Sequence, residues 1–322
     1  MSKRKTWQWW AAGWLGFIGV VALVAPWLPL PFEPAAPDLM HMSTPPLRGA
    51  ADGHWLGTDP LGRDVLANLI FGARTVLALT LPAAVLAAAL GAALGSVAGF
   101  WGNTLRVPVP GWLLAGTLLW WALALPGPGV AVAVGGLALG WLALSQRRKW
   151  PLPTWPLPID GLVLAASAGL GTVPRLLLVV AVAAGGRLSP AGLLLLLTLT
   201  SWASPARLVR AETLRIRQLP FVEAGRASGL PAGRLWLRHV LPAALRPLRV
   251  ELPLSLASLL VLESTISFLG IGLPPDVASW GRLISAARLD SASWWTAAFP
   301  VATLMLTIAA LRVLAQSPAA AE

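Results

Sequence analysis

Residues 79–98 read LTLPAAVLAAALGAALGSVA and contain no charged side chain. This run matches the roughly 20 apolar residues that a bilayer-spanning helix needs. A second apolar run centres on residues 193–199. Across the chain 57% of the residues are hydrophobic and only 11% are charged, whereas a soluble domain carries about 25% charged residues. The sequence therefore predicts an integral membrane protein with several spans.

The chain carries a formal net charge of +11, which alone would suit a nucleic-acid partner. The basic residues, however, form clusters between the apolar segments, and the preference of Lys and Arg for cytoplasmic loops explains that pattern. The distribution favours a lipid membrane and argues against nucleic acid. The sequence has no cysteine, which excludes disulfides, Cys-based metal sites and a thiol nucleophile.

The apolar segments predict eight spans with both termini in the cytoplasm. The first segment follows three basic residues and lacks a clear cleavage site, so we interpret it as an uncleaved helix. Two short spans flank Pro126-Gly127-Pro128-Gly129 and form a predicted helical hairpin. The basic clusters at 147–149 and 207–249 then lie in the cytoplasm. The predicted spans are residues 7–30, 75–100, 112–125, 130–144, 160–184, 191–208, 250–269 and 294–314.

The most basic loop, residues 207–249, contains Phe221-Val222-Glu223-Ala224-Gly225-Arg226-Ala227-Ser228-Gly229 and then Arg238-His239-Val240-Leu241-Pro242. This pattern resembles the EAA motif of ABC importer permeases. The resemblance implies a short helix, a turn at the last glycine and a second helix, with the first helix docked in a groove of a cytoplasmic ATPase. Gly225 replaces the second Ala of the motif, which lowers helix propensity by up to about 1 kcal/mol. The implied ATPase-coupling residues are Glu223, Ala224, Gly225, Gly229, His239, Leu241 and Pro242.

Two further segments are similar to signatures of the dipeptide, oligopeptide and nickel permeases. The first is Gly57-Thr58-Asp59-Pro60-Leu61-Gly62-Arg63-Asp64-Val65-Leu66, followed by Gly72-Ala73-Arg74. Its residue types predict a tight turn before a short interfacial helix. The second runs from Glu263 to Gly281, and its glycines and prolines end a membrane helix at the outer face. The implied outer-face residues are Gly57, Thr58, Asp59, Gly62, Arg63, Asp64, Glu263, Ser267, Phe268, Gly270, Gly272, Pro275, Trp280 and Gly281.

The resemblance covers residues 8–102 and 158–316 and implies an all-α, polytopic bundle, the type I ABC importer permease core of about six spans. Residues 1–74 then form an N-terminal membrane helix and a periplasmic segment. Residues 75–316 form the permease domain, with an atypical insertion at about residues 103–157. The implied partners are two ABC ATPase subunits, a second homologous permease subunit and an external solute-binding protein at a bacterial inner membrane.

The predicted function is ATP-driven import of peptides or nickel. The chain has no G-x-x-x-x-G-K-[ST] phosphate loop, so we expect no cofactor on it, place ATP and Mg²⁺ on the partner ATPases, and predict that it is not an enzyme. An ion-gradient-driven secondary transporter is an alternative, although no internal repeat supports it. An intramembrane enzyme is another, but all three histidines fall in predicted loops. An importer for a different small solute also stays open.

Several single residues have two interpretations. Glu263 is either a functional intramembrane carboxylate or a group that reaches water at a helix end. Arg175 either faces a water-filled path or extends toward the interface. Asp160 is interpreted as a charge at a helix N-terminus rather than a solute ligand. Met40-His41-Met42 has side chains that can ligate nickel, but a solvated loop is favoured, and no metal site is predicted.

Overall fold

The computed structural model describes residues 2–46, 48, 53–104, 106–108, 154–184 and 189–316. Helices dominate these residues, as the apolar runs predict, and the chain is an all-α membrane bundle. A 3-10 turn (Ala25–Trp27) and two π-helical turns (Val76–Thr80 and Trp236–Val240) link some of the helices. The elements are α1 (Ser2–Val24), α2 (Val65–Thr75), α3 (Leu81–Trp101), β1 (Arg106–Pro108), β2 (Thr154–Pro156), α4 (Ile159–Thr172), α5 (Arg175–Ala184), α6 (Pro190–Ser201), α7 (Ala203–Ile216), α8 (Pro220–Ala227), α9 (Ala232–Leu235), α10 (Leu241–Ala244), α11 (Leu248–Phe268), α12 (Trp280–Ala286) and α13 (Trp295–Ala315).

Five helical stretches among the described residues are long and apolar enough to cross a bilayer. Helices α4 and α5 make a sixth if they count as one span, with a bend of 81° between them. Pro174 lies at this break and has no amide hydrogen to continue the helix, as the sequence predicts. The two predicted hairpin spans, 112–125 and 130–144, lie outside the described residues. The five stretches are Thr6–Trp27, Val65–Trp101, Pro190–Ile216, Leu248–Phe268 and Trp295–Ala315.

Met1–Phe100 and Val163–Glu322 form one compact unit. Within it, α13 packs against α1 and α11, and α12 packs between α11 and α13. One apolar cluster joins the turn before α3 and helices α3, α5, α6 and α11; its buried members include Leu79, Ala83, Val179, Leu197 and Ile266. A second cluster joins α1, α2, α11, α12 and α13; its buried members include Ala22, Ala73, Leu260, Trp280 and Leu311. Helix α11 contributes to both clusters and is therefore the centre of the bundle.

Helices α3 and α7 approach closely because α3 carries glycine at every fourth position. A Cβ added at Gly91 would lie 2.5 Å from the Trp202 carbonyl oxygen. One added at Gly99 would lie 2.8 Å from Cβ of Thr213. Between them, Gly95 also faces α7. Small residues at this spacing let helix backbones meet in a membrane, where no hydrophobic effect draws helices together. We call Gly91, Gly95 and Gly99 the glycine seam.

Trp101–Leu162 form a second compact unit. Its two three-residue strands, which the sequence does not predict, pair antiparallel with Arg106 opposite Pro156. Nearby, the Gly161 amide donates to Oδ1 of Asn103 at 3.2 Å. The described residues on the two sides of the predicted insertion, 103–108 and 154–161, therefore lie next to each other.

Two segments differ from their predicted structure. Residues 207–216, interpreted as the start of a cytoplasmic loop, continue the preceding helix as α7. Val209, Thr213 and Ile216 are buried on one side of it, so packing extends the helix beyond the apolar run. Residues 270–293, predicted as an outer segment to which no helix is assigned, contain α12, which begins at a Ser279 N-cap.

Candidate functional site

Residues 57–64 form a tight turn organised by Asp59. Its Oδ1 accepts hydrogen bonds from the backbone amides of Leu61 at 2.9 Å and Arg63 at 2.8 Å. The backbone closes the turn, since the Gly62 amide donates to the Asp59 carbonyl at 2.9 Å. Burial raises the pKa of Asp59, and the hydrogen bonds from the two amides oppose that rise. The predicted turn is therefore present, with Asp59 as its internal acceptor.

Gly57 and Gly62 let the preceding segment lie against this turn. Both have φ of +78°, a conformation that favours glycine. A Cβ at Gly57 would overlap the Thr44 carbonyl oxygen, and one at Gly62 would overlap the Asp38 carbonyl oxygen. The contacts are completed by backbone hydrogen bonds from the Asp38 amide to the Gly62 carbonyl at 2.8 Å and from the Thr58 amide to the Thr44 carbonyl at 3.0 Å. Residues 38–44 and the turn thus form one folded layer.

Asp64 joins this layer to α2. Its Oδ2 accepts from the Ala67 amide at 2.7 Å, so Asp64 is the N-cap of the helix. Its Oδ1 lies 3.0 Å from Nδ1 of His54. The His54 ring is fully buried and stacks on Phe32, with 3.8 Å between ring centroids. Asp64 and the buried His54 therefore fix the start of α2. The sequence places His54 in a loop and predicts no role for it.

Glu263 is buried near the end of α11, with 2% of its surface exposed. Its Oε1 accepts from the hydroxyls of Ser267 at 2.7 Å and Ser279 at 2.9 Å. Ser279 in turn accepts from the Gly281 amide at 3.2 Å and so caps α12. Of the two interpretations of Glu263, the structure excludes a carboxylate that reaches water at a helix end. Instead, Glu263 joins α11 to α12.

Trp280 and Gly281 pack the second signature segment, residues 263–281, against the first, residues 57–74. A Cβ at Gly281 would overlap the Ser264 carbonyl oxygen, so α12 lies directly on the backbone of α11. Trp280 donates from Nε1 to the Leu69 carbonyl of α2 at 2.9 Å. A Cβ at Gly72 would lie 2.5 Å from Cδ1 of Trp280. Any larger side chain at position 72 would therefore overlap the Trp280 indole ring.

Helix α11 ends at a glycine, as its sequence predicts. Gly270 has φ of +76°, and the Ile271 amide donates to the Ile266 carbonyl at 3.1 Å, which closes the helix in a Schellman-type turn. Gly272 also has a positive φ, of +110°. The Phe268 ring lies 5.5 Å from the Arg288 guanidinium. Pro275 is exposed in the loop that follows.

Trp295 at the start of α13 completes this assembly, because its Nε1 donates to the Thr58 carbonyl at 2.9 Å. We call residues 57–64, 263–267 and 279–281 the signature cluster. The first of these ranges lies about 200 residues before the other two in the chain, yet all three ranges belong to the same unit of the structure. The guanidinium Nε of Arg63 is buried there and has no hydrogen-bond partner among the described residues.

Asp38, His41 and His54 also lie together beside the signature cluster. Asp38 Oδ2 is 2.9 Å from His41 Nδ1 and 3.4 Å from His54 Nε2. The hydrogen bond from His41 is the largest of several that lower the pKa of Asp38 to about 2. The sequence draws attention to Met40-His41-Met42 but not to Asp38 or His54, and it predicts no metal site. The tertiary structure brings two imidazoles and a carboxylate to one place.

The segment that resembles the EAA motif forms two short helical stretches joined by a glycine turn. Helix α8 carries Glu223 in its first turn, and both Glu223 and Ala224 are exposed. Gly229 has φ of +78°, and the Leu230 amide donates to the Gly225 carbonyl at 3.1 Å, which ends the helix. The fold expected from the resemblance, helix–turn–helix, is present here.

Gly225 has a packing role that its departure from the motif does not suggest. A Cβ at this position would lie 2.8 Å from Cδ1 of Leu235, so the alanine of the usual motif would require the Leu235 side chain to shift. Val222, Leu235 and Val240 are buried behind it. Leu241 is half-buried, whereas His239 and Pro242 are exposed. The small glycine thus allows α8 to lie directly on the second helical stretch.

Two arginines connect the basic segment, residues 207–249, to the end of α3. Arg217 donates from Nη1 to the Gly99 carbonyl at 3.0 Å. The Arg226 guanidinium lies 6.0 Å from the centre of the Phe100 ring. Arg217 looks like a redundant topology charge in the sequence, but in the structure it covers a helix-terminal carbonyl.

The signature cluster and the basic segment lie at opposite ends of α11. The helix begins at Leu248, within the last residues of the basic segment, and Glu263 lies about four turns further on. Near the first end, Glu251 accepts from the Ser204 hydroxyl of α7 at 2.8 Å. Arg175 is exposed at the start of α5, and Asp160 lies in the first turn of α4, as predicted. One helix thus separates the two candidate sites by roughly 20–25 Å at 1.5 Å per residue.

Comparison with known proteins identifies the class. The family model described as "Binding-protein-dependent transport system inner membrane component" matches residues 161–317. A putative peptide permease protein of Brucella suis biovar 1 (strain 1330) is 30% identical over 290 residues, which cover 88% of this chain and 76% of the relative. A putative peptide transport system permease protein from the same strain is 30% identical over 297 residues, covering 91% and 79%. The dipeptide transport system permease protein DppC of Bacillus subtilis (strain 168) is 26% identical over 300 residues, covering 92% and 75%.

The chain therefore belongs to the family of binding-protein-dependent transport system inner membrane components. It is a multi-pass membrane permease, and the family expected from the three sequence motifs is confirmed.

Proposed function

We propose that this chain is a membrane-spanning subunit of an ATP-driven importer for peptides. The helix–turn–helix at residues 220–244 carries the proposal, because it presents an exposed helix with Glu223 in its first turn beside the ends of α3 and α7. The names of the relatives, peptide permease and dipeptide permease, favour peptides over nickel as the solute. Partner ATPases that bind α8 supply the energy for transport.

The proposed route of coupling follows the packing of α3 and α7. Arg217 at the end of α7 donates to the Gly99 carbonyl of α3, and Arg226 of α8 lies over Phe100 of α3. The glycine seam then holds α3 and α7 in direct backbone contact. Because such a joint resists sliding, a displacement of α8 moves the two helices as one body. Helix α11, held to α7 through Ser204 and Glu251, carries the movement toward the signature cluster.

The proposed assembly contains two ABC ATPases, a second homologous permease subunit and an external solute-binding protein. ATP and Mg²⁺ bind the ATPases, and this chain holds no cofactor for their chemistry. The chain resides in a bacterial inner membrane with both termini and the basic segment in the cytoplasm. The signature cluster then faces outward, where a binding protein delivers the solute.

Transport measurements test the solute and the energy source together. The chain, its ATPases and its second permease subunit are co-expressed, purified and reconstituted with the binding protein into liposomes. We expect uptake of labelled di- and oligopeptides that requires internal ATP and stops with vanadate. Uptake that follows a proton gradient and ignores ATP would instead support a secondary transporter. Uptake of Ni²⁺ but of no peptide would identify nickel as the transported solute.

Single-cysteine labelling tests the orientation, since the natural chain has no cysteine. We expect a cysteine at exposed Arg234 or at Ser145 to be protected from a membrane-impermeant maleimide in intact cells. A cysteine at exposed Leu61 in the signature turn is expected to react. Labelling at Arg234 with protection at Leu61 would show that the chain has the opposite orientation in the membrane.

A further inference from the structure

Three side chains beside the signature cluster have the identities and separations of metal ligands. One ligand atom from each of Asp38, His41 and His54 lies within 4.8 Å of the other two. The carboxylate oxygen Oδ2 of Asp38 is 2.9 Å from His41 Nδ1 and 3.4 Å from His54 Nε2. Ligand atoms around a tetrahedral ion bound at about 2.0–2.1 Å are roughly 3.3 Å apart. Two of the three separations already approach that value.

The surroundings of His54 fix which of its nitrogens is available. Asp64 Oδ1 lies 3.0 Å from Nδ1, and Asp38 Oδ2 lies 3.4 Å from Nε2 on the other side of the ring. A metal ion bound by Asp38 would take the place of a proton at Nε2, while Asp64 holds the proton at Nδ1. The ring cannot turn away, because it is fully buried and stacked on Phe32. A carboxylate that holds the far nitrogen of an imidazole is the usual support for a metal-binding histidine.

His41 is the most exposed of the three proposed ligands. Its side chain is 34% exposed, and its ring centroid is 5.8 Å from that of His54. The separation between the His41 and His54 nitrogens, which lies within 4.8 Å, is the one that a bound ion would shorten. The segment that carries it is anchored on both sides, by the Asp38 amide on Gly62 and by the Ser43 amide on the Asp59 carbonyl at 3.1 Å. The ligands are thus held by backbone rather than by a free loop.

We propose that Asp38, His41 and His54 bind a divalent first-row transition metal ion, with Asp64 orienting His54. Two imidazoles and one carboxylate suit Zn²⁺, Co²⁺ or Ni²⁺ and disfavour Mg²⁺ and Ca²⁺, which prefer all-oxygen sites. A fourth position stays open to water or to a ligand from outside. The ion clamps residues 38–41 and 54 onto the signature turn. This site does not depend on the proposed transport function.

The metal site is tested on the purified full chain, carried in detergent with an affinity tag that contains no histidine. The natural chain has three histidines and no cysteine, so few groups compete for the ion. After chelator treatment, Co²⁺ is titrated and its visible spectrum recorded, and Zn²⁺ affinity is measured by competition with a chromophoric chelator. We expect one ion per chain and the intense absorption of four-coordinate Co²⁺.

Variants separate the site from adventitious binding. His41→Ala removes a partly exposed ligand and is expected to weaken Zn²⁺ binding by more than about 100-fold. Asp64→Asn keeps an acceptor for the N-cap of α2 but loosens His54, and it is expected to weaken binding by about 10–100-fold. His239→Ala removes the exposed histidine of the basic segment and is expected to leave binding unchanged. Equal Zn²⁺ affinity in the natural chain and in His41→Ala, or a loss as large in His239→Ala, would overturn the proposal.

Discussion

The backbone of Gly95 in α3 lies directly against the carbonyl group of Ala206 in α7, so close that a Cβ at residue 95 would overlap the Ala206 oxygen. No side chain separates the two helices at this point. The seam runs from the membrane core toward the ends of α3 and α7, where Arg226 of α8 lies over the Phe100 ring. The packing of α3 on α7 therefore depends on these glycines, and under the proposed function coupling depends on them as well.

Gly95→Ala is expected to destabilise the bundle by about 1–3 kcal/mol, because the added methyl group forces α3 and α7 apart. Thermal unfolding of the purified chain in detergent measures the effect. The matched control is Gly169→Ala in α4, where an added Cβ meets nothing within 4 Å. A drop in melting temperature that is the same in both variants would show that the close approach at Gly95 does not matter.

Glu223→Arg is expected to abolish transport while leaving the chain folded in the membrane. Its side chain is exposed, so the fold does not need it, but a partner that pairs with it would meet a repulsive charge. Removing one member of a buried ion pair costs about 3–5 kcal/mol, which weakens docking by about two orders of magnitude or more. Solute uptake and pull-down of the ATPase at equal permease levels report the result.

The control for that experiment is Arg234→Glu, which reverses an exposed charge in the same segment and is expected to be milder. Arg217 is a poor control, because it donates to the Gly99 carbonyl. Normal uptake by Glu223→Arg would show that α8 does not couple the ATPases to transport.

Glu263→Leu is expected to loosen α12 from α11. The Ser267 and Ser279 hydroxyls would lose their acceptor inside the protein, at about 1–3 kcal/mol for each group left unpaired. Glu263→Gln keeps a carbonyl oxygen for both hydroxyls and is expected to be closer to the natural chain. Limited proteolysis of residues 270–293 and thermal unfolding compare the two variants. If Glu263→Gln is as unstable as Glu263→Leu, the negative charge rather than the hydrogen bonding holds the helices together.

Deletion of residues 104–157 is expected to leave assembly with the ATPases intact. The two ends to be joined are already adjacent, since the Asp160 amide donates to the Gly102 carbonyl at 3.4 Å and β1 pairs with β2. The basic segment lies in the other unit of the structure. Pull-down of the ATPases by the shortened permease tests this. A protein that inserts normally but no longer binds ATPases would assign the insertion a role in assembly.

The sequence by itself determines the features that depend on local pattern. Apolar runs mark the spans, since a helix in lipid needs about 20 apolar residues. Asp59-Pro60 with its glycines determines the turn before α2, and the glycines at 229 and 270 determine where α8 and α11 end, because these are short-range backbone preferences. The three motifs at residues 57–74, 221–242 and 263–281 together indicate the family.

Only the tertiary structure decides which distant residues meet. The four-residue spacing of Gly91, Gly95 and Gly99 is visible in the sequence and signals a close helix contact, but not that α7 is the partner. The burial of Glu263 depends on α12 folding back over α11, and the meeting of Asp38, His41 and His54 depends on the packing of residues 38–44 against the signature turn. These contacts depend on how helices and loops that are distant in sequence pack together, and a local sequence pattern does not predict that packing.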